Sequence, residues 1–228
     1  AMDVNKGPLE KAQEHIREEK LGGKIATRLG NGLAPLEPGE TDTVIIAGMG
    51  GDLICKILKA KPEFLIEGKE FILQPQSEWF KVRRLLKEYH YQIEKEWFLK
   101  EDGKYYVIIK AEPAWTQPQR LKHQQPSIHE YIKEISETPA NQAVSEKDME
   151  SIYEQYGKYL IETKNPVLKE YLEKEITKKE SIATELKQSI KEIESEELSG
   201  KERGNIAKRQ RRYQEIQKEI RDMRKAVG

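Results

Sequence analysis

A β-branched run that ends in glycines is the feature that most constrains how this chain can fold. Residues 43–51 read TVIIAGMGG, and an amphipathic pattern with Leu53, Ile54, Ile57 and Leu58 follows. This order predicts a buried parallel strand, a loop and a helix. Ligands bind at such strand ends in open α/β sheets, and glycines let backbone N–H groups approach them closely. A tight turn without a ligand is the other interpretation of the same glycines.

Composition limits the size of the core and the class of partner. The chain has 228 residues, 36% of them hydrophobic and 35% charged, with 40 basic and 40 acidic residues. One core of about 100 to 150 residues beside a more polar region is therefore expected. Because the charges cancel, any nucleic-acid site must be a local basic patch.

Neither a membrane segment nor a metal site is expected. No apolar run reaches the roughly 18 residues of a membrane span, and no signal peptide opens the chain. The four histidines lack partner cysteines at metal-ligand spacing. Cys55 is the single cysteine, and its place in a helical pattern favours a small buried thiol over a nucleophile. These features predict a protein of the reducing cytoplasm without a metal.

Residues 1–112 alternate helix and strand patterns with short loops, as in an α/β layer domain. Strands are predicted at residues 25–29, 44–47 and 71–75, and helices at residues 4–19 and 77–89. The strand at 44–47 is expected at the centre of the sheet. A hairpin of residues 92–99 and 105–112 around an Asp-Gly turn then closes the domain. Parallel strands followed by a hairpin are typical of class I methyltransferase sheets.

From Pro113 the pattern changes to a proline-punctuated polar connector with one or two short helices, residues 113–147, and then to helices over residues 148–228. One apolar stripe follows Pro166 and comprises Leu168, Leu172, Ile176, Ile182, Leu186, Ile190 and Ile193. A second stripe follows a candidate capping box at Ser199 and Glu202, and comprises Ile206, Tyr213, Ile216, Ile220, Met223 and Val227. Two such helices with a short connection predict an all-α antiparallel coiled-coil domain.

A cluster of cations on the second of these helices is a candidate RNA-binding site. It comprises Arg203, Lys208, Arg209, Arg211 and Arg212. Arginine binds phosphate bidentately, and phosphate contacts release counterions. The alternative is a solvated helix face, in which case the next candidates for RNA contact are Arg83, Arg84, Arg120 and Lys122.

Five short blocks occur in a characteristic order along the first half of the chain. They are DVNKGP at residues 3–8, GNGL at 30–33, IAGMGG at 46–51, LQP at 73–75 and EDGKYY at 101–106. In order and spacing they resemble the bacterial tRNA adenine-22 N1-methyltransferases, the TrmK family. The helical tail, with Tyr156-Gly157 and NPVL at 165–168, is also similar to theirs.

The resemblance implies a Rossmann-like class I methyltransferase domain that uses S-adenosylmethionine to methylate N1 of an adenine in tRNA. Asp3 matches the acidic residue that holds the ribose hydroxyls of the cofactor, and Asn31 matches a residue that contacts its adenine. The loop where the target base and methyl donor meet corresponds to Gly48, Met49, Gly50 and Gly51. Ala47 and Gly48 are also expected to border the cofactor.

The expected chemistry needs no general base, and none is nominated. Adenine N1 carries an in-plane lone pair, so positioning can supply most of the catalysis. The loop accordingly departs from the Asn-Pro-Pro-Tyr-like residues with which many adenine methyltransferases bind an exocyclic amine. The Watson–Crick edge of the target must be freed from pairing first, so local opening or base flipping of the RNA is expected.

The largest departure from the family lies at the front of the chain. Family members begin with a helix, a first strand and an Asp-Ile-Gly-Ser-Asp-His-like loop that holds the methionine part of the cofactor. A βα unit of roughly 30 residues or more is expected to be missing here, which predicts a truncated member of the family. Two alternatives are a noncatalytic RNA-binding remnant and a different Rossmann-type enzyme. The second is disfavoured because the chain has no Gly-x-Gly-x-x-Gly loop.

Overall fold

The computed structural model describes residues 1–114, 140–194 and 200–227, and these residues form two compact units. The first unit contains residues 1–97 and, of those after 105, the described residues 106–114. The second contains residues 98–105 together with the described residues from 140 onward. The hairpin thus has its arms in the first unit and its tip in the second.

The first unit alternates strands and helices, as the sequence predicts. Its helices are α1 (Lys6–Glu18), α2 (Gly51–Ala60), α3 (Pro62–Ile66) and α4 (Trp79–Glu88). The strands are β1 (Met2–Asp3), β2 (Arg28–Leu29), β3 (Thr43–Met49), β4 (Glu70–Pro75), β5 (Tyr91–Glu101) and β6 (Lys104–Pro113). This composition confirms the α/β class.

The strands form two sheets among the described residues. Strands β1 and β2 pair in parallel, and a four-stranded sheet has the order β3-β4-β6-β5. Strand β3 is parallel to β4, and β4 is antiparallel to β6. The expectation of a central strand at residues 44–47 is therefore wrong for the described sheet, because β3 lies at its edge and pairs with β4 alone.

One face of the four-stranded sheet carries the core of the first unit. Its buried side chains include Val44 and Ile46 from β3, Phe71 and Leu73 from β4, and Ile109 from β6. Helix α2 packs against β3, β4 and α4. The opposite face of β3 is open, since Ile45 is 68% exposed.

Two predicted boundaries differ from the structure. The strand predicted at residues 25–29 is reduced to β2, because the Ile25 N–H instead bonds to the carbonyl of Leu21 in a turn. The helix predicted from residue 77 begins at Trp79, because Glu78 has a left-handed backbone conformation with φ of 51°. Neither shift moves the glycine loop.

The second unit is helical apart from the hairpin tip. It contains α5 (Ala140–Tyr156), α6 (Lys158–Glu162), α7 (Pro166–Glu194) and α8 (Gly200–Val227). Gly157, with φ of 92°, separates α5 from α6. The Asn165 carboxamide oxygen accepts the N–H groups of Val167 and Leu168 at 3.0 Å and caps α7.

Helices α7 and α8 run in opposite directions along each other. Glu180 meets Arg224, whereas Ser189, further along α7, meets Arg209, which comes earlier in α8. The buried residues of these two helices are Leu168, Leu172, Ala183, Ile190, Ile206, Ile216, Ile220, Met223 and Ala226. Ile182, expected in the stripe, is 39% exposed, and its neighbour Ala183 is buried instead. The proposed capping box falls outside the described side chains.

Candidate active site at the strand ends

The glycine loop after β3 begins with a break in the strand ladder. The register between β3 and β4 shifts between Ala47 and Met49, and Gly48 occupies the break with φ of +78°. A Cβ atom at Gly48 would meet nothing within 4 Å. Ala47 and Gly48 are exposed, and Met49 is half-buried. The loop therefore presents open backbone at the carboxyl end of the strand.

The rest of the loop is bound to the segment after β4 through backbone groups. The Met49 carbonyl accepts the Gln76 N–H at 2.9 Å, and the Gly51 N–H donates to the Ser77 carbonyl at 2.9 Å. A Cβ at Gly51 would lie 2.5 Å from the Glu78 carbonyl oxygen, so this close approach requires glycine. At Gly50 a Cβ would lie 3.2 Å from Ser77 Oγ, which is a tight contact but a longer one than at Gly51.

Sequence reasoning missed a charged cluster where α2 begins. The Asp52 N–H donates to Glu78 Oε2 at 3.4 Å, and the Asp52 carboxylate accepts Lys56 at 2.7 Å and Lys81 at 3.0 Å. These two lysines lower the pKa of Asp52, and hydrogen bonds to Glu78 and Asp52 raise the pKa of Lys81. The cluster clamps the first turn of α2 to the start of α4. Its two halves, Asp52 with Lys56 and Glu78 with Lys81, are far apart in sequence, so spacing alone carried no signal for the contact between them.

The two residues predicted to hold the cofactor nucleoside come together at the ends of β1 and β2. Asp3 is half-buried, and its Oδ1 accepts the Asn5 N–H at 2.7 Å. The Asp3 carbonyl accepts the N–H of Gly30, the residue before the exposed Asn31. Parallel strands end at the same edge of a sheet, so both side chains belong to one strand-end region.

The loop that carries Asn31 packs on the helix that follows the glycine loop. A Cβ at Gly32, with φ of +55°, would lie 2.8 Å from Ile57 Cγ2 in α2. Lys61 Nζ donates to the Leu36 carbonyl at 3.2 Å. The predicted cofactor residues and the glycine loop are thus connected through α2 within the first unit.

Cys55 in α2 shows no sign of a nucleophile. It is half-buried, and burial raises the pKa of its thiol, whereas a reactive cysteine needs a lowered pKa. In residues 1–114, 140–194 and 200–227, no group of His, Cys, Asp and Glu side chains could hold a metal ion. Within those same ranges, no helix is long and apolar enough to cross a membrane.

The basic cluster on α8 divides into two pairs of cations. Arg209 is half-buried and donates to Ser189 Oγ in α7, and Arg212 pairs with Glu219 at 3.4 Å. Lys208 and Arg211 are the more exposed pair; the Arg211 side chain is 84% exposed, and its Nε lies 3.4 Å from Glu215 in the same helix. Outward cations are available to phosphate. The fifth member, Arg203, lies outside the described side chains.

Of the four alternative candidates for RNA contact, the structure describes Arg83 and Arg84. Arg83 is 4% exposed, and its Nε donates to Glu96 Oε1 at 2.8 Å across α4 and β5. It is wrong as an RNA-binding residue because its charge is used inside the core. Arg84 is exposed and lies 5.7 Å from the centre of the Phe80 ring. Arg120 and Lys122 fall outside the described residues.

The hairpin tip, which carries the EDGKYY block, is held by contacts with α7. Glu170 of α7 accepts hydrogen bonds from Lys100 at 2.7 Å, Lys174 at 2.6 Å and the Tyr105 hydroxyl at 3.1 Å. The Tyr105 ring lies 5.0 Å from that of Tyr171. These partners, Lys100 first, lower the pKa of Glu170 to about 2. The tip is therefore anchored on α7 within the second unit.

Comparison with known families gives a match over most of the chain. The model of the tRNA (adenine(22)-N(1))-methyltransferase family, TrmK, matches residues 1–146. A tRNA (adenine(22)-N(1))-methyltransferase of Bacillus subtilis (strain 168) is 37% identical over 112 residues, which are 49% of this chain and 47% of that protein. The chain thus spans about half the length of this curated relative.

Solved structures match the whole chain at low identity. A protein of the NADB-Rossmann superfamily from Streptococcus agalactiae has a TM-score of 0.66 and 23% identity, covering 100% of this chain and 79% of its own. A putative tRNA (m1A22) methyltransferase from Streptococcus pneumoniae, in complex with S-adenosyl-L-methionine, has a TM-score of 0.63 and 23% identity, covering 100% of this chain and 80% of its own. These likenesses confirm a Rossmann-like fold.

Proposed function

Because the chain belongs to the TrmK family of tRNA (adenine(22)-N(1))-methyltransferases, we propose that it methylates N1 of an adenine in tRNA with S-adenosylmethionine. The observation that carries this proposal is the open glycine loop at the end of β3, where Gly48 presents bare backbone beside the exposed Ala47. A planar base and a methyl donor can both approach a surface without side chains. The cofactor bound in the S. pneumoniae relative supports S-adenosylmethionine as the donor.

The strand-end residues fit the nucleoside part of that cofactor. Among the described residues only the Asn5 N–H bonds to the Asp3 carboxylate, which leaves Oδ2 as an acceptor for a ribose hydroxyl. Asn31 is exposed and offers an amide to an adenine edge. When bound, S-adenosylmethionine supplies an electrophilic methyl group on a sulfonium. The protein residues contribute binding and orientation.

The chain's own contribution to the reaction is positioning. Adenine N1 attacks through a lone pair and need not lose a proton first, so no residue is assigned as a base. Gly48, Met49, Gly50 and Gly51 are proposed to shape the space in which the base meets the donor. Holding two reactants in attack geometry is worth up to about 7 to 11 kcal/mol of the barrier.

We further propose that another parallel strand adds to the free edge of β3 and completes the cofactor pocket. Among the described residues, strand β3 pairs with β4 along one edge only, and β1 and β2 pair separately. A strand between β1 and β3 would join the two sheets into one and cover this edge. A form of the chain that carries additional upstream sequence is expected to supply this strand.

We propose that the helical region over residues 148–228 grips the tRNA body, beyond a connector at 113–147 and a catalytic domain at 1–112. The opposed α7 and α8 with a buried stripe support an antiparallel coiled coil. Lys208 and Arg211 on its outer face are the strongest candidates for phosphate contact, with Arg203 as a third. A tRNA substrate also supports a cytoplasmic location.

The test is methyl transfer by an upstream-extended form with Gly50→Val. A branched side chain would fill the reaction space beside Ser77, so N1-methyladenosine in tRNA should be abolished while helical content is unchanged. Gly23→Val is the matched control, because nothing lies within 4 Å of a Cβ there. Full turnover by Gly50→Val would support the alternative interpretation, in which the loop is a tight turn without a ligand.

The extension itself is tested by calorimetry with S-adenosylmethionine. The extended form is expected to bind the cofactor, and residues 1–228 alone to bind it weakly or not at all. Equal affinity of the two forms would contradict the added strand. Binding of tRNA without methyl transfer by either form would instead favour the RNA-binding remnant.

A further inference from the structure

The side chain of Gln74 replaces a missing backbone partner at the break in β3. Strands β3 and β4 pair regularly from Thr43 with Glu70 to Ala47 with Gln74, and the ladder then shifts. The N–H of Gly48 points at Gln74 Oε1 instead, at 2.8 Å. A residue of β4 thus holds the backbone of the glycine loop through its side chain.

This hydrogen bond also determines how the Gln74 amide is oriented. Because a backbone N–H can only donate, the atom that faces Gly48 is the oxygen, and the NH₂ group is directed elsewhere. Gln74 Nε2 is buried and has no hydrogen-bond partner among the described residues. A buried donor without an acceptor lowers stability. The bond to Gly48 and the unpaired donor offset each other, so stability alone does not explain a glutamine here.

We propose that Gln74 is a positioning residue of the methyl-transfer site, which acts by fixing the peptide of Gly48; this inference rests on the proposed function. Gly48 lies in the break between two paired residues, with a left-handed φ and open space where a Cβ would be, and Gln74 is the partner of its N–H. The bond from Gln74 keeps this peptide in one orientation beside the exposed Ala47. Without it the loop would sample other conformations, and the base and methyl donor would meet less often in attack geometry.

Three variants separate this role from a structural one. Gln74→Met removes both polar atoms at nearly constant length, Gln74→Glu keeps an oxygen acceptor for the Gly48 N–H, and Gln92→Met makes the same change in β5, at the other edge of the sheet. The measurements are kcat for tRNA methylation in the extended form, the melting temperature, and hydrogen exchange of the Gly48 amide by NMR.

Gln74→Met is expected to lower kcat by about tenfold to hundredfold, because small misplacements of reacting groups have effects of that order. Its melting temperature should stay within about 4 °C of the wild type, a shift of roughly 1 kcal/mol, since removing the hydrogen bond is offset by removing the buried unpaired donor. Exchange of the Gly48 amide should accelerate. Gln74→Glu should restore slow exchange and most of kcat, and Gln92→Met should change neither.

An unchanged Gly48 exchange rate or an unchanged kcat in Gln74→Met would overturn the inference. A melting temperature of Gln74→Met that falls well beyond 4 °C together with kcat would overturn it as well, because the loss of activity would then follow from loss of the fold. Absence of turnover in the wild-type extended form contradicts the proposed function instead. Gly48 exchange in residues 1–228 still decides in that case whether Gln74 anchors the loop.

Discussion

The glycine loop of the first unit and the helix pair of the second are held together by different kinds of contact. The loop is bound through backbone groups, with Gly51 so close to the Glu78 carbonyl that a single Cβ would collide with it. Helices α7 and α8 meet through an apolar stripe bordered by exposed ion pairs such as Arg224 with Glu180. Single-atom changes should therefore matter in the first region and single charges should matter little in the second.

The largest effect is expected from the buried ion pair of the first unit. The Arg83 and Glu96 side chains are 3% and 1% exposed, so Arg83→Met leaves a buried carboxylate without its cation. Removal of one partner of such a pair lowers the free energy of unfolding by about 3–5 kcal/mol. Urea titration measures this decrease.

The matched control is Arg224→Met, which removes an exposed pair between α7 and α8 with side chains 63% and 45% exposed. It should leave the urea midpoint nearly unchanged. Equal decreases in the free energy of unfolding for Arg83→Met and Arg224→Met would contradict the expected difference between a buried and an exposed ion pair.

Next in size are the glycines of the loop. Gly51→Ala forces a Cβ to within 2.5 Å of a backbone oxygen and should destabilise the first unit by about 2–3 kcal/mol. Gly48→Ala meets no atom and carries only the left-handed penalty of about 1–2 kcal/mol. Chemical denaturation of both variants checks this order, and a reversed order would show that contact distance does not govern the loop.

Sequence reasoning located the loop but not the reasons for its shape. The run TVIIAGMGG predicted strand, loop and helix because hydrophobic period and glycine breaks are local signals. The role of Gln74 in the LQP block is not predicted, although a single amide side chain in an otherwise apolar strand is a signal that the sequence offers. The Asp52, Glu78 and Lys81 cluster, and the burial of Arg83 on Glu96, depend on contacts between distant elements, which no single-sequence pattern reports.

A smaller effect is expected on tRNA binding by α8. Replacing Lys208 and Arg211 with Gln keeps good helix formers and should weaken tRNA binding. The slope of log affinity against log salt should shrink by about 0.7 to 0.9 for each phosphate that the variant no longer neutralises.

The comparison pair is Arg209→Gln with Arg212→Gln, whose cations contact Ser189 and Glu219 and are less exposed than Arg211, with which Arg212 shares Glu215. That double variant should lower the melting temperature slightly and leave the salt slope nearly unchanged. The same salt slope in both double variants and the wild type would show that the basic cluster on α8 is a solvated helix face.

The smallest effect concerns acid sensitivity of the hairpin tip. Hydrogen bonds from Lys100, Lys174 and Tyr105 hold the pKa of Glu170 at about 2 in the folded protein, below the ordinary value of about 4.3. The tip contact therefore adds stability above pH of about 4.3 that is lost as the pH falls toward 2. NMR titration of the Glu170 carboxyl measures the pKa directly. Glu170→Gln should lack this dependence, and a midpoint near the ordinary value would show that the tip cluster does not form.

The central claim, that N1 of a tRNA adenine receives a methyl group at the glycine loop, is tested most directly by locating the methyl group. The upstream-extended form is incubated with S-adenosylmethionine and two tRNA transcripts, one with adenine and one with guanine at position 22, the position in the family's description. Nuclease digestion and mass spectrometry then identify the modified nucleoside. The account predicts N1-methyladenosine at position 22 of the first transcript and none in the second. Equal methylation of both transcripts, or a methyl group on any other atom, would contradict it.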